Sequence, residues 1–408
     1  MVSSRRVESA SHRHAVVLGG SLTGLLAARV LSDHFDRVTV VERDPFLDDF
    51  EPRKGVPQGH QLHGLLNRGA LVLEQLLPGL LDTVVEQGAA KCDFGQFVRW
   101  FHHGAWNAPV ESGITAYAMT RPFLEGHVRS RVLALPQIEA MGNCDVVRLS
   151  SNERGRVTGV VIRRRDEPKE ESVLSADLVV DATGRGSRAP AWLEELGYQR
   201  PTVETTLVRL GYASCIYHRP ENQSEDWYGM VIQQTPPEGK RAGFLGRVEG
   251  NRWMCCLSGV LGDHPPTDQE GFLEFARSLP ADDLYRAIRN AKPASKVMAY
   301  KYPSPERRRY EKLADFPDGF VVMGDASCSF NPLYGQGMTI AAMGAVALGE
   351  ELASVAKEGD RARLGMSRRF QAKQAKIQDV PWMMGTTEDF RYPEVEGKRP
   401  FGFPAISW

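Results

Sequence analysis

The stretch His14-Ala15-Val16-Val17-Leu18-Gly19-Gly20-Ser21-Leu22-Thr23-Gly24 decides the fold. Its first five residues read as a short apolar strand, the glycines punctuate a turn, and the pattern from Leu25 to Asp33 predicts a helix. A second apolar run, Val38-Thr39-Val40-Val41, ends in Glu42 and Arg43. Strand, glycine turn, helix, strand and acid, with the acid about 20 residues beyond the turn, form the dinucleotide-binding βαβ unit. Gly19 makes the tight turn and Gly24 lets helix and strand approach. Ser21 stands where the motif has its middle glycine, leaving a pyrophosphate less room but offering it a hydroxyl. A carboxylate at Glu42 suits a ribose diol and repels a 2′-phosphate, so the expected nucleotide is FAD or NAD rather than NADP.

A second segment, Gly324-Asp325-Ala326-Ser327-Cys328-Ser329-Phe330-Asn331-Pro332-Leu333-Tyr334-Gly335-Gln336-Gly337-Met338, narrows that choice. It follows the apolar run Phe320 to Met323, and Gly324 lets the chain turn so that Asp325 can accept hydrogen bonds from sugar-alcohol hydroxyls. Pro332 ends the loop. Gly335 and Gly337 keep side chains off the amides opening a helix expected from Met338 to Leu348. Those amides and the positive end of the helix dipole suit an electron-rich carbonyl or a developing anion, as on a reduced flavin ring.

A third strand, Ala176 to Asp181, leads into Ala182-Thr183-Gly184-Arg185-Gly186-Ser187-Arg188. With these three elements in order over roughly residues 12 to 370, the chain resembles the FAD-dependent monooxygenases of the para-hydroxybenzoate hydroxylase type. Within that type it looks like an actinobacterial branch of polyene epoxidases from polyether biosynthesis. That similarity is carried by Gly19-Gly20-Ser21-Leu22, Gly55-Val56-Pro57-Gln58-Gly59-His60, Thr120-Arg121-Pro122-Phe123-Leu124-Glu125 and Asn331 to Met338.

The resemblance implies an α/β fold, a Rossmann-like FAD domain of the glutathione-reductase type interleaved with a mostly antiparallel substrate sheet. It implies non-covalent FAD held by Gly19, Gly20, Ser21, Leu22, Thr23, Gly24, Glu42 and Arg43. Further candidates are Arg53 and Gln58 in the stretch passing the ribityl chain, Arg121 opening a helix beside the flavin, and Val147, whose backbone meets the adenine. Asp181, Thr183 and Gly184 form the third turn. Gly324 and Asp325 face the ribityl group, and Pro332, Gly335, Gly337 and Met338 face the ring. Relatives carry Asp-Gly where this chain has Thr183-Gly184, and that aspartate helps hold the nicotinamide donor. NADPH or NADH is therefore expected to bind weakly and transiently, or a separate flavin reductase to supply electrons, with Arg121, Arg185 and Arg188 slightly favouring NADPH.

The same resemblance implies a flavin hydroperoxide that passes one oxygen atom from O2 to an apolar natural product, by epoxidation or hydroxylation. Positioning and water exclusion then replace a dedicated acid or base. His60 and Tyr334 are the only candidates for tuning proton supply. A flavin oxidoreductase that inserts no oxygen (a saturase, desaturase or oxidase) is the alternative, and a protein that binds a ligand without turnover is a third reading. A tryptophan-halogenase reading is disfavoured because the motif Trp-x-Trp-x-Ile-Pro is missing from the chain.

Composition agrees. With 408 residues, 42% hydrophobic content and 39 glycines, the chain can bury a large core. A net charge of −1 gives no electrostatic case for nucleic acid. Arg163 to Arg165 and Arg307 to Arg309 are expected as solvated edges. The six cysteines show no metal spacing and read as reduced thiols of a cytoplasmic protein. His60, His63, His102 and His103 lack partners at ligand spacing, so no metal site is expected. No 18-residue apolar run marks a membrane span, and Leu62 to Leu81, broken by polar residues, is expected to be buried.

The FAD domain is expected at 14–85, 118–200 and 296–375, and the substrate domain at 86–117 and 201–295, after a disordered lead at 1–13. Alternating runs such as Arg252-Trp253-Met254-Cys255-Cys256-Leu257 predict an antiparallel sheet with one covered face, with helices near Gly271 to Leu279 and Asp282 to Asn290. Trp100, Trp106, Tyr212, Tyr217, Trp227, Tyr228, Phe244 and Trp253 are candidates for lining an apolar pocket. Residues 376–408 form a C-terminal extension in which Pro381 to Trp408 is expected as an extended wrap or loose tail. Members of the type continue with further helices here, so the chain is expected to be naturally short or trimmed.

Overall fold

The computed structural model describes residues 13–47, 49–167, 169–220, 226–359 and 363–399. The lead expected at 1–13 lies outside these residues except for Arg13.

A five-stranded, all-parallel sheet carries the nucleotide end, in the order Phe320–Val322, Leu178–Asp181, His14–Leu18, Arg37–Val41, Ile138–Met141. Four of the strands are covered on both faces, which is why they are almost continuous apolar runs, whereas the edge strand Ile138–Met141 is partly exposed at Glu139 and Ala140. The two faces divide by alternation. Ala15, Val17, Val38, Val40, Val180 and Val321 join one core, under the helices Leu22–Leu31, Asn67–Leu76, Arg121–Leu133 and Gly337–Glu358. Val16, Leu18, Val41, Val179, Phe320 and Val322 join the other, against Trp192, Tyr310 and the antiparallel strands Cys144–Ser151 and Val157–Arg164.

The first helix begins at Leu22, three residues before the expected start, and Gly24 explains the tight entry. A Cβ there would stand 1.8 Å from the Gly19 carbonyl oxygen, so only glycine fits. The helix Gly337–Glu358 is likewise longer than expected. It is long and apolar enough to cross a membrane by composition, yet 56% of its most apolar window is buried, and it packs against Leu22–Leu31, Asn67–Leu76 and Met366–Asp389.

A seven-stranded sheet forms the second layer, in the order Met298–Tyr302, Leu210–His218, Arg252–Gly259, Arg241–Val248, Gly229–Ile232, Val98–His102, Ala105–Trp106. It is antiparallel except where Gly229–Ile232 runs parallel to Val98–His102. One face, bearing Ala213, Tyr217, Trp253, Cys255 and Leu257, is covered by the helices Gln269–Arg277 and Asp283–Ile288. The opposite face carries Tyr212, Cys256, Phe244, Tyr300 and Tyr302. Met298–Tyr302, expected among the FAD segments, pairs with Leu210 to Ser214 instead.

Two expectations are corrected. The region from Pro381 to Asp389 is neither wrap nor loose tail: it is the end of a helix, Met366–Asp389, which also runs through the division expected at residue 375. Its buried face is polar. Gln371 and Gln374 both donate to the Val322 carbonyl, and Gln378 donates to Ser327 Oγ, so the apolar periodicity that announces a helix is missing. Nor are Arg307 to Arg309 a solvated edge. Arg307 is 2% exposed and donates to the Ala375 carbonyl and Asp379, while Arg309 pairs with Glu204 and Glu311.

Candidate functional site

The glycine turn after the first strand sits on a buried chain of alternating charges. Glu42 Oε2 accepts from the Gly20 amide at 2.7 Å, and its Oε1 from the Asp44 amide at 3.0 Å. Arg53 lies behind them, with Nη1 3.5 Å from Glu42 Oε2 and Nη2 2.6 Å from Glu125 Oε1. Glu125 Oε2 accepts from Arg121 Nη2 at 3.0 Å and from the Ser21 hydroxyl at 2.7 Å. Burial alone would push Glu125 up; Arg121 and Arg53, helped by the Ser21 hydroxyl, hold it down at about 2.

This arrangement changes two expected roles. Ser21 lines the cavity, but its proton points to Glu125 rather than toward a pyrophosphate. Arg53 does not reach the cavity; it braces the turn from behind. Glu125, the last residue of the Thr120 to Glu125 motif, is the hub that joins Ser21, Arg53 and Arg121. Its only signal was its position four residues after an arginine, the spacing of a helical ion pair.

At the third strand, Asp181 is fully buried and does not reach the cavity. Its Oδ1 accepts from the Thr183 amide and hydroxyl at 2.9 and 2.6 Å, and its Oδ2 from the Ser187 hydroxyl. Burial pushes it up, against these hydrogen bonds. Thr183 and Gly184 line the cavity. Arg185 does too, although Glu306, Ser304 and Ser329 take its guanidinium. Arg188 is exposed at the rim. The Val147 carbonyl is held by Trp192 and Arg188, and the cavity wall is formed instead by Cys144, Asp145 and Val146.

One cavity of about 580 Å³ connects these parts. It runs from Glu42 and Arg43 past Gly19, Ser21, Leu22 and Thr23, along Arg121 and Asp325, to Pro332, Gly335, Gly337 and Met338. Gly324 turns the chain at φ +61, and a Cβ there would meet Thr23 Oγ1 at 2.5 Å. Among the described residues no donor reaches the Asp325 carboxylate, which faces the cavity. Surrounding protein pushes it up, while Arg121, Arg185 and Arg308 pull it down. Such an unpartnered carboxylate beside the exposed N-terminus of the helix Gly337–Glu358 fits a polyhydroxyl chain ending in an electron-rich ring.

The far end of the cavity lies under the seven-stranded sheet, where Tyr212, Tyr300 and Tyr302 join Leu62, Gln61 and Phe330. Of the eight aromatic candidates only Tyr212 lines this wall; Tyr217, Trp227 and Trp253 belong to the helix-covered face. The two catalytic candidates do not line it. His60 sits in the 3-10 turn Pro57–His60 outside the lining, though Gln58 of that turn is within it. Tyr334 points the other way and donates to Asp389 at 3.1 Å.

The cavity's histidine is His63. Its Nδ1 lies 2.9 Å from the Gln61 carbonyl, an acceptor, so Nδ1 carries the proton and Nε2 is left as a free acceptor. Burial, with Arg121 adding to it, lowers His63 to about 4. No group of three metal-binding side chains occurs among the described residues.

Residues 13–375 match the family described as FAD binding domain. Protein Rv3254 of Mycobacterium tuberculosis (strain ATCC 25618 / H37Rv) is 34% identical over 391 residues, covering 93% of this chain and 80% of that protein. Solved structures of similar fold include pqsL from Pseudomonas aeruginosa, described as a probable FAD-dependent monooxygenase, with TM-score 0.70, 18% identity, and 94% and 97% of the two chains covered. The flavin-dependent brominase Bmp2 is similar too, with TM-score 0.69, 12% identity, and 93% and 88% covered. At such identities the likeness is one of fold, and it spans two reaction types. The family match over most of the chain and the cavity that threads its three motifs agree: this chain belongs to the FAD-binding domain family and has the flavin monooxygenase fold.

Proposed function

We propose that this flavoenzyme is a monooxygenase that inserts one oxygen atom of O2 into an apolar natural product, as an epoxide or a hydroxyl, like the polyene epoxidases its motifs resemble. The observation that carries the reading is the continuity of the cavity: the chamber under Tyr212, Tyr300 and Tyr302 opens directly onto the wall expected to face the flavin ring.

Bound FAD would supply the redox chemistry with oxygen; the residues around it hold, orient and dry the site. Backbone amides at Leu22 and Thr23 would meet the pyrophosphate, and Glu42 the ribose. Asp325 would meet the ribityl hydroxyls, and the amides of Gly337 and Met338 the ring. Leu62, Phe330 and the three tyrosines would exclude water from the substrate. His63 Nε2, unprotonated at neutral pH, would accept a hydrogen bond within the chamber. Electrons would come from NADPH or NADH bound transiently, or from a flavin reductase.

The experiment is turnover under 18O2 with chemically reduced enzyme and a panel of polyenes and aromatics. Label in the product at one atom per molecule is expected. A product oxidised without label would replace this reading with dehydrogenation.

A further inference from the structure

The helix Met366–Asp389 ends against the back of the loop that carries the ring-facing glycines. Asp389 is 2% exposed. Its Oδ1 accepts from Asn331 Nδ2 at 2.7 Å and from the Tyr334 hydroxyl at 3.1 Å. Its Oδ2 is buried with no partner. Beside it lies a chamber of about 10 Å³, the size of one water, lined in part by Asn331, Tyr334, Gln336 and Thr386. Gln336 and Phe330 line both this chamber and the large cavity, so their side chains are the partition between the two.

Asn331 Oδ1 in turn accepts from the Leu333 amide at 3.1 Å, which sets the turn Pro332–Tyr334. Gly335 follows at φ +63 and leads into the helix beginning at Gly337. On the other side, Gly385 leaves room for the Tyr334 ring, which would meet a Cβ there at 3.2 Å. One carboxyl group thus holds both ends of a short turn, and the residues that come next line the FAD cavity.

No cation within hydrogen-bond distance balances that carboxyl among the described residues. The groups facing it are Glu388 and Tyr392 from its own segment, Tyr334 from the loop and Tyr212 from the sheet. Arg391 is turned to Glu388 at 2.9 Å. Burial therefore pushes Asp389 up to about 7, against the hydrogen bonds from Asn331 and Tyr334, with Glu388 adding to the rise.

We propose that Asp389 is the positioning residue of the ring-facing turn, clamping Asn331 and Tyr334 as a neutral carboxylic acid, and that its ionisation loosens the turn and weakens FAD binding. The acid form places its proton on Oδ2, beside the water-sized chamber. The carboxylate keeps its two donors on Oδ1 but leaves charge on Oδ2, which is buried with no partner beside a chamber that Phe330, Pro305 and Trp382 help to line, and no cation compensates it among the described residues. The native state binds more protons than the unfolded chain between the ordinary carboxylate range and neutrality, so the clamp is strongest on the acid side and weakens as pH rises through about 7. The inference rests on placing the flavin against Gly335, Gly337 and Met338.

Equilibrium titration of the full-length apoprotein with FAD, read by flavin fluorescence at about pH 6 and about pH 8.5, tests it. Wild-type Kd is expected to rise roughly 5–10-fold across that interval. Asp389→Asn, which keeps the shape but cannot ionise, is expected to flatten the profile at near the acid-side affinity. Tyr334→Phe removes a hydrogen bond that favours the carboxylate and is expected to move the midpoint to higher pH, a shift that a merely structural tyrosine would not cause. A wild-type Kd equal at both pH values, or a slope retained in Asp389→Asn, overturns the proposal while leaving the flavin placement intact. Wild-type protein that binds no FAD at either pH overturns that placement, and the proposal with it.

Discussion

Arg53 Nη2 and Glu125 Oε1 lie 2.6 Å apart, with both side chains at most 6% exposed, directly beneath the glycine turn. Two arginines and two glutamates, in the order Glu42, Arg53, Glu125, Arg121, neutralise one another there. On the proposed placement of FAD, the turn would meet an anionic pyrophosphate with its backbone and the first helix's dipole, while Arg53 holds the turn in shape from behind and Arg121 also lines the cavity.

Removing one partner of such a pair strands the other charge. Glu125→Leu is expected to destabilise the apoprotein by about 3–5 kcal/mol. Chemical denaturation of the apoprotein reads this out, and a loss below about 1 kcal/mol would show that the pair is not coupled as described. The pH dependence has a definite sign. Because Glu125 is held down at about 2, its contribution is fully present above the ordinary glutamate value and is lost as pH falls toward 2.

Asp325 and Glu42 should separate cleanly. Among the described residues no hydrogen-bond donor reaches Asp325, so Asp325→Ala is expected to leave apoprotein stability nearly unchanged while weakening FAD binding by roughly 1–3 kcal/mol, the cost of stranding a buried hydroxyl. Glu42→Ala removes the partner of Arg53 and the Gly20 amide, so it should lower both stability and FAD affinity. Thermal unfolding of the apoproteins beside FAD fluorescence titrations decides it. Equal stability losses in the two variants would count against an unpartnered Asp325. Acid precipitation is expected to release the flavin as FAD, bound without a covalent link.

His63 is expected to matter where His60 does not. Replacing His63 by Ala should slow turnover up to about 10-fold, the loss of one positioning hydrogen bond, whereas His60→Ala should stay within about twofold. Because burial lowers His63 to about 4, it remains neutral from weakly acidic to alkaline pH, and removing it should not change the shape of the rate profile there. Equal effects of the two substitutions would return the assignment to the flanking turn as a whole.

Direct reduction by nicotinamides should be slow when no substrate is present. Arg185 is occupied by Glu306 and Ser304, and Thr183 is turned to Asp181, so neither is free to grip a phosphate-bearing donor. Anaerobic stopped-flow bleaching by NADPH and by NADH measures this. Rapid saturable reduction at micromolar donor would show that another surface binds it.

What the sequence determined by itself was everything that depends on local chain geometry. A strand, a glycine turn and a helix must lie next to one another along the chain, so the turns at Gly19 to Gly24 and Gly324 to Met338 were legible, with the acids at Glu42 and Asp325. Tertiary structure decided which side chains face the cavity and which face one another. His60 ends the motif that begins at Gly55, His63 lies three positions further on, and only packing turns His63 inward. Arg53 and Glu125 are 72 residues apart, and their pairing exists only once two segments close over the turn. The helix Met366–Asp389 stayed hidden because its buried face uses glutamines that hydrogen-bond the parallel sheet, and a polar face becomes burial only when those acceptors are in place. Asp389 was invisible for the same reason: a carboxyl 58 residues beyond Asn331 becomes its clamp only after the helix has folded back onto the loop.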